Sequence, residues 1–125
     1  MKIAVHIVRI LIGLLYLFAS VAYFFNLVTP PEMTGDAKAF AEGINAARYL
    51  MPLVKTIELV CAAAFLSGRY VALAAVLIAP VTINIFLYHV FVDRQGLPIA
   101  AFLLLGNLFL GYAYRDRYGS LFEAR

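Results

Sequence analysis

The sequence predicts an all-α fold: an integral membrane, antiparallel four-helix bundle with both termini on the cytoplasmic side. Three observations lead there. Of the 125 residues, 65% are hydrophobic and only 14% are charged, against roughly 45–50% and about 25% in ordinary soluble domains. A chain this short buries only part of its surface, so a water-soluble fold could not hide so many apolar side chains. The apolar residues gather in four runs, each within or close to the ~17–25 residues that cross ~30 Å of hydrocarbon. Between the runs stand proline, glycine and charged residues, the signals that end one helix and start the next. The length allows a single transmembrane domain over residues 1–125.

The first span is expected over residues 3–28, ahead of Pro30-Pro31, because proline lacks the amide donor and crowds the preceding turn. Ser20-Val21-Ala22 weakly resembles a leader cleavage site. Arg9, however, interrupts the apolar stretch and aromatics continue through Phe25, so the segment reads as a retained helix. A long connection follows, PPEMTGDAKAFAEGINAARYLMP. In it Asp36 could cap a short amphipathic helix over about residues 36–48, presenting Phe40 and Ile44 on one face. Such a helix lies on the bilayer surface or covers the bundle's mouth. The second span is expected over residues 49–67 and the third over 70–92. The Ser67-Gly68-Arg69 turn between them is short enough to force an antiparallel hairpin. Asp93 to Gly96, with Pro98 near a helix start, does the same for the third span and a fourth over 97–114.

Charge placement excludes one partner and orients the chain. The formal net charge is +3, but the ten lysines and arginines are scattered, and only the tail RDRYGSLFEAR approaches a basic cluster. That pattern fits membrane topology and not the tracking of nucleic-acid phosphates. With the N-terminus inside, Lys2, Arg9, Arg69, Arg115, Arg117 and Arg125 lie on the cytoplasmic side, and Lys38, Arg48 and Arg94 lie opposite. The richer side is cytoplasmic by the positive-inside rule, which puts the long loop outside. Cys61 is the only cysteine, so an internal disulfide, a CxxC redox pair and a four-cysteine metal site are excluded. Beside three alanines it reads as inert packing.

Polar side chains in hydrocarbon normally face the bundle interior or a wet cavity. Arg9, Gly13, Tyr16, Ser20 and Tyr23 recur at steps of four and three, a stripe down one face of the first helix. Lys55, Glu58, Ala62 and Arg69 follow a similar rhythm in the second. Asn107, Gly111 and Tyr114 do so in the fourth, where glycine would permit close helix approach. The polar seam is thus expected to include Arg9, Tyr16, Tyr23 and Asn107. The second helix enters from outside and the third leaves toward it. Lys55, Glu58, Asn84, Tyr88 and His89 therefore share the outer half and could meet below the long loop. Asn84 and His89 lie about 140° apart on a regular helix, so they share one spot only if Pro80 or the helix end distorts the path. At i and i+3 the Lys55 ammonium reaches the Glu58 carboxylate and softens the burial of either charge. The pair is then either an intramembrane latch or the polar wall of a ligand pocket in which His89 titrates nearby.

Other sites are set aside by spacing. A haem between two histidines needs both at one depth, whereas His6 is near the inner end and His89 near the outer. No cluster has metal-ligand spacing, and neither a Gly-rich phosphate loop nor a Gly-x-Ser-x-Gly elbow is present. No complete catalytic motif stands in the chain.

Several of these residues, taken together, resemble a known family. Arg9 and Gly13 in a first helix, Lys55-x-x-Glu58 in a second, the Gly68–Tyr70 turn, and PVTINIFLYHVFVD with Pro80, Asn84 and His89 are similar to the DoxX and DoxX-like family over essentially the whole chain. The resemblance implies a small four-helix protein of the bacterial inner membrane, linked to membrane redox chemistry. Members include subunits of thiosulfate:quinone oxidoreductases and partners of oxidative-stress enzymes. With one cysteine, thiol or sulfur chemistry would need another subunit. On this resemblance the chain carries no cofactor of its own. It is either a quinone-facing subunit of a redox complex or a non-catalytic scaffold for a redox enzyme. A small-molecule carrier is the third reading, which four helices without an inverted repeat support only in a homo-oligomer.

Overall fold

The computed structural model describes residues 2–27 and 32–122, and every regular element among them is helical. Val28, the expected end of the first span, the Pro30-Pro31 stop and Arg125 lie outside the described residues. The helices are α1 (Lys2–Phe25), α2 (Gly35–Ala46), α3 (Leu50–Ser67), α4 (Val71–Phe91) and α5 (Leu97–Ala113). A 3-10 turn, Arg94–Gly96, leads into α5, and a 3-10 segment, Arg115–Phe122, follows it. α1, α3, α4, and α5 with its leading turn are long and apolar enough to cross a membrane.

Local chemistry sets the joints. Gly68 ends α3 at φ 77°, where its amide donates to the Ala64 carbonyl; glycine takes this left-handed conformation without the steric penalty of a β-carbon. The Asp93 carboxylate accepts the Gln95 amide, and Pro98 stands in the first turn of α5, where a missing amide hydrogen removes no helical bond. α4 continues through Pro80. The start of α2 differs from expectation: Thr34 occupies the N-cap position and Asp36 lies within the first turn. There its carboxylate still favours the positive end of the helix dipole.

α1 packs against α3 and α5, and α4 packs against the same two helices. The interior they share is built of small and polar residues: Gly13, Ser20, Ala62, Ala74, Ala75, Thr82, Ala100, Gly106 and Asn107 are buried, around larger Ile12, Tyr16, Phe65, Ile78 and Leu110. Large apolar side chains point outward instead, among them Ile3, Ile7, Phe18, Leu73, Leu105 and Leu108. Such an exterior would aggregate in water and is at home in lipid, where close backbone approach and van der Waals packing hold helices together.

Two glycines make that approach. A β-carbon on Gly13 would meet Leu66 and Phe65 of α3, and one on Gly106 would collide with Ile12 of α1. Gly111, expected from its stripe to do this, has no atom within 4 Å of the β-carbon position. Leu110 beside it is fully buried, so the helix is covered at this level and Gly111 faces away from its neighbours. Overpacking a tight interface costs about 1–3 kcal/mol. Gly106→Leu should therefore lower the thermal unfolding midpoint in detergent, while Gly111→Ala should leave it within the scatter or raise it slightly.

Candidate functional site

The first half of α3 and the second half of α4 diverge enough, under α2, to leave a cavity of about 340 Å³. Phe40 and Ile44 come from α2, Leu50, Met51, Val54, Lys55 and Glu58 from α3, and Pro80, Val81, Asn84, Ile85, Tyr88 and His89 from α4. All five residues that the sequence placed at one depth, Lys55, Glu58, Asn84, Tyr88 and His89, line it. The walls are otherwise apolar, and the volume falls in the ~300–1,000 Å³ range of small-molecule sites.

The Lys55 Nζ lies 3.2 Å from Glu58 Oε2 and 3.4 Å from Oε1. The Glu58 side chain is 2% exposed and that of Lys55 16%, so the carboxylate is the buried partner and the ammonium reaches its cavity side. This is the one ion pair among the described residues. A lone charge at such a position is destabilising, and the opposite charge one turn away offsets much of that penalty.

His89 is held by the end of α4. Its Nδ1 is 2.9 Å from the Asp93 carbonyl, and the ring fills the space where a β-carbon on Gly96 would lie. A carbonyl only accepts, so Nδ1 carries the hydrogen, and in the neutral ring Nε2 is left as an acceptor. The helix end thus brings His89 to the same cavity as Asn84, which remains exposed. Tyr88 packs between two rings, tilted against Phe40 with centroids 4.8 Å apart and edge-on to His89 at 5.1 Å. Phe40 is therefore the tie between α2, which has no buried residue of its own, and α4.

The seam residues divide. Tyr16 is 2% exposed and its hydroxyl lies 2.6 Å from Thr82 Oγ1; the Thr82 hydroxyl donates to the Ile78 carbonyl at 3.0 Å, so the phenol donates to Thr82. Asn107 donates to the Ala75 carbonyl across to α4, while its buried Oδ1 has no partner among the described residues. Arg9 donates to the Phe65 and Leu66 carbonyls at the end of α3, groups that the helix itself leaves unbonded. Tyr23 departs from the expected seam: it is exposed and rests edge-on against Phe24. Four turns beyond Arg9 the stripe has drifted by ~40°, and Ala22 is the covered residue there. Thr82 was not singled out from the sequence, although a lone hydroxyl in an apolar run must find an acceptor. Cys61 is buried with its Sγ 3.7 Å from the Ala74 carbonyl, a packing position. No group of three or more His, Cys, Asp or Glu side chains among the described residues could hold a metal ion.

Removing one partner of a buried pair strands the other charge, whereas removing both does not. Lys55→Met should therefore lower stability by about 3 kcal/mol, the low end for breaking a buried pair because Lys55 is partly exposed, and Lys55→Met/Glu58→Gln should recover most of that loss. Chemical denaturation in mild detergent, run as a double-mutant cycle, reads this directly; equal losses in the single and double variants would show that the two charges do not compensate each other.

The comparison with known families returns one match: the DoxX family model fits residues 4–91. That range takes in nearly all of α1, the whole of α2, α3 and α4, and every residue lining this cavity. No curated protein and no solved structure matches the chain. With well over half of its length matched and four helices able to span a bilayer, this chain is a multi-pass membrane protein that belongs to the DoxX family.

Proposed function

We propose that the cavity under α2 binds a quinone-type ring and that the protein serves as a redox-associated subunit of the bacterial inner membrane. One observation carries the reading: a mostly apolar cavity of about 340 Å³ has a buried ion pair in its wall, with Asn84, Tyr88 and His89 around the same space. An apolar ring carrying two carbonyls matches that mixture. In this reading the four spans alternate in direction as an antiparallel bundle with both termini in the cytoplasm, and the cavity opens near the outer leaflet, because the more basic ends lie inside.

Each side chain then has a role. The Lys55 ammonium donates to one ring carbonyl. A quinone that takes up two electrons also takes up two protons; the electrons come from a partner redox subunit, and Glu58 passes protons at the buried end. Neutral His89, with its hydrogen held on the Asp93 carbonyl, accepts a proton at Nε2 in the reverse direction and donates only as the imidazolium. The scaffold reading keeps one observation in its favour: Lys55 and Glu58 already satisfy each other without a ligand.

A titration of purified protein with a quinone analogue separates the two. Saturable binding is expected in the wild type, weakened about tenfold or more in Glu58→Gln and in Lys55→Met, as a lost hydrogen bond to a charged group implies. Thermal melts run alongside report folding, and the double variant, expected to stay folded, should not bind. Absence of binding to the wild type, or equal affinity in all variants, would favour the scaffold.

A further inference from the structure

A second cavity, of about 390 Å³, lies at the other end of α3 and α4. Tyr70 and the first turn of α4 form one side, and the segment after α5 forms the other through Arg117, Tyr118 and Ser120. The Tyr118 hydroxyl donates to the Ala72 carbonyl at 2.7 Å and so closes this segment against α4. Burial pushes its phenol above the ordinary range, which keeps it a neutral donor. The Arg117 amide donates to the Tyr114 carbonyl, while its guanidinium forms no ion pair among the described residues.

The surroundings are strongly cationic. Arg9 lies directly beneath Gly68, a cavity wall, where a β-carbon would meet its Nη1 at 3.0 Å. Arg69 and Arg115 flank the cavity in sequence, and Asp116 is the one described carboxylate of this connection. Arg115 is already engaged over the Tyr112 ring and with the Tyr112 carbonyl, which leaves Arg117 as the guanidinium available on the cavity rim. Depth supplies the other half of the chemistry. The α3 and α5 spans end here and the α4 span begins, so the cavity stands where hydrocarbon meets headgroups, and Leu73 and Val76 continue its wall toward the span. The anion found at that depth is a lipid phosphate, and basic pockets at helix ends bind such headgroups. Tyrosines are enriched at the same level.

We propose that this cavity binds the phosphate of an anionic phospholipid, with Arg117 as its charge partner, the Ser120 hydroxyl as a donor, and Leu73 and Val76 against the start of an acyl chain. The site is independent of the cavity at Lys55 and of what that cavity binds.

Native mass spectrometry of the detergent-purified chain, titrated with phosphatidylglycerol or phosphatidylcholine, tests it. Retention of phosphatidylglycerol should exceed that of phosphatidylcholine about fivefold, the effect of one well-placed arginine. Arg117→Gln and Ser120→Asp should bring the two lipids level, Arg117→Lys should keep most of the preference, and Arg48→Gln at the far end should not alter it. A wild type without preference, or a preference that survives both Arg117→Gln and Ser120→Asp, would overturn the site. A third arm uses glycerol 3-phosphate: retention equal to that of the lipid would overturn the lipid assignment in favour of a soluble phosphate ester.

Discussion

Hydrocarbon offers no hydrogen bonds, and this single constraint accounts for most of the structure. A polar group along the spans is costly unless it finds a partner inside the protein, and most of the buried ones do. Tyr16 reaches across to Thr82, which passes its own hydrogen to the Ile78 carbonyl; Ser20 donates to the Tyr16 carbonyl; Asn107 bridges to Ala75; Arg9 closes the open end of α3. Three of these bonds, from Tyr16, Asn107 and Arg9, join helices distant in sequence, so groups that are expensive to bury also fix which faces meet. Small residues complete the arrangement by letting backbones come near, at Gly13 against α3 and at Gly106 against α1.

Lys55 and Glu58 obey the same constraint in a different way. Their partner is each other, one turn apart on one helix, so the pair adds nothing to the contact between helices. A latch would be expected to cross from helix to helix, as Tyr16 and Asn107 do. The charges stand instead at the wall of a space large enough for a small molecule. α2 lies over that space and is tied to α4 chiefly by the packing of Phe40 against Tyr88. Its lack of buried residues makes it the element of least packing around the cavity, and local opening begins where packing is weakest.

Much of this was legible in the sequence because membranes impose simple periodicities. Apolar run length picked out four helices long enough to cross a bilayer, and Gly68 and Pro98 stand at the end of one and the start of another. Depth counted along two helices was enough to bring Lys55, Glu58, Asn84, Tyr88 and His89 to one place. What escaped depended on three-dimensional detail. Gly106 and Gly111 are equivalent as letters, yet only the first faces Ile12. Tyr23 continues a polar stripe by spacing, but over four turns the stripe rotates off the covered face of α1, where Ala22 is buried instead. Thr82 carries no spacing signal, since its role comes from Tyr16 on another helix. The hydrogen on His89 Nδ1 follows from the Asp93 carbonyl turning back at the helix end, which no periodicity contains.

The central claim is that the Glu58 carboxyl forms part of a ligand site. Ligand-induced infrared difference spectroscopy reads that group itself, without relying on loss of function in a variant. Addition of a quinone analogue to the wild-type protein in lipid should shift a carboxyl or carboxylate band, and that band should vanish in Glu58→Gln. Binding that leaves every carboxyl band unmoved would contradict the account and confine the Lys55–Glu58 pair to holding α3 in the membrane.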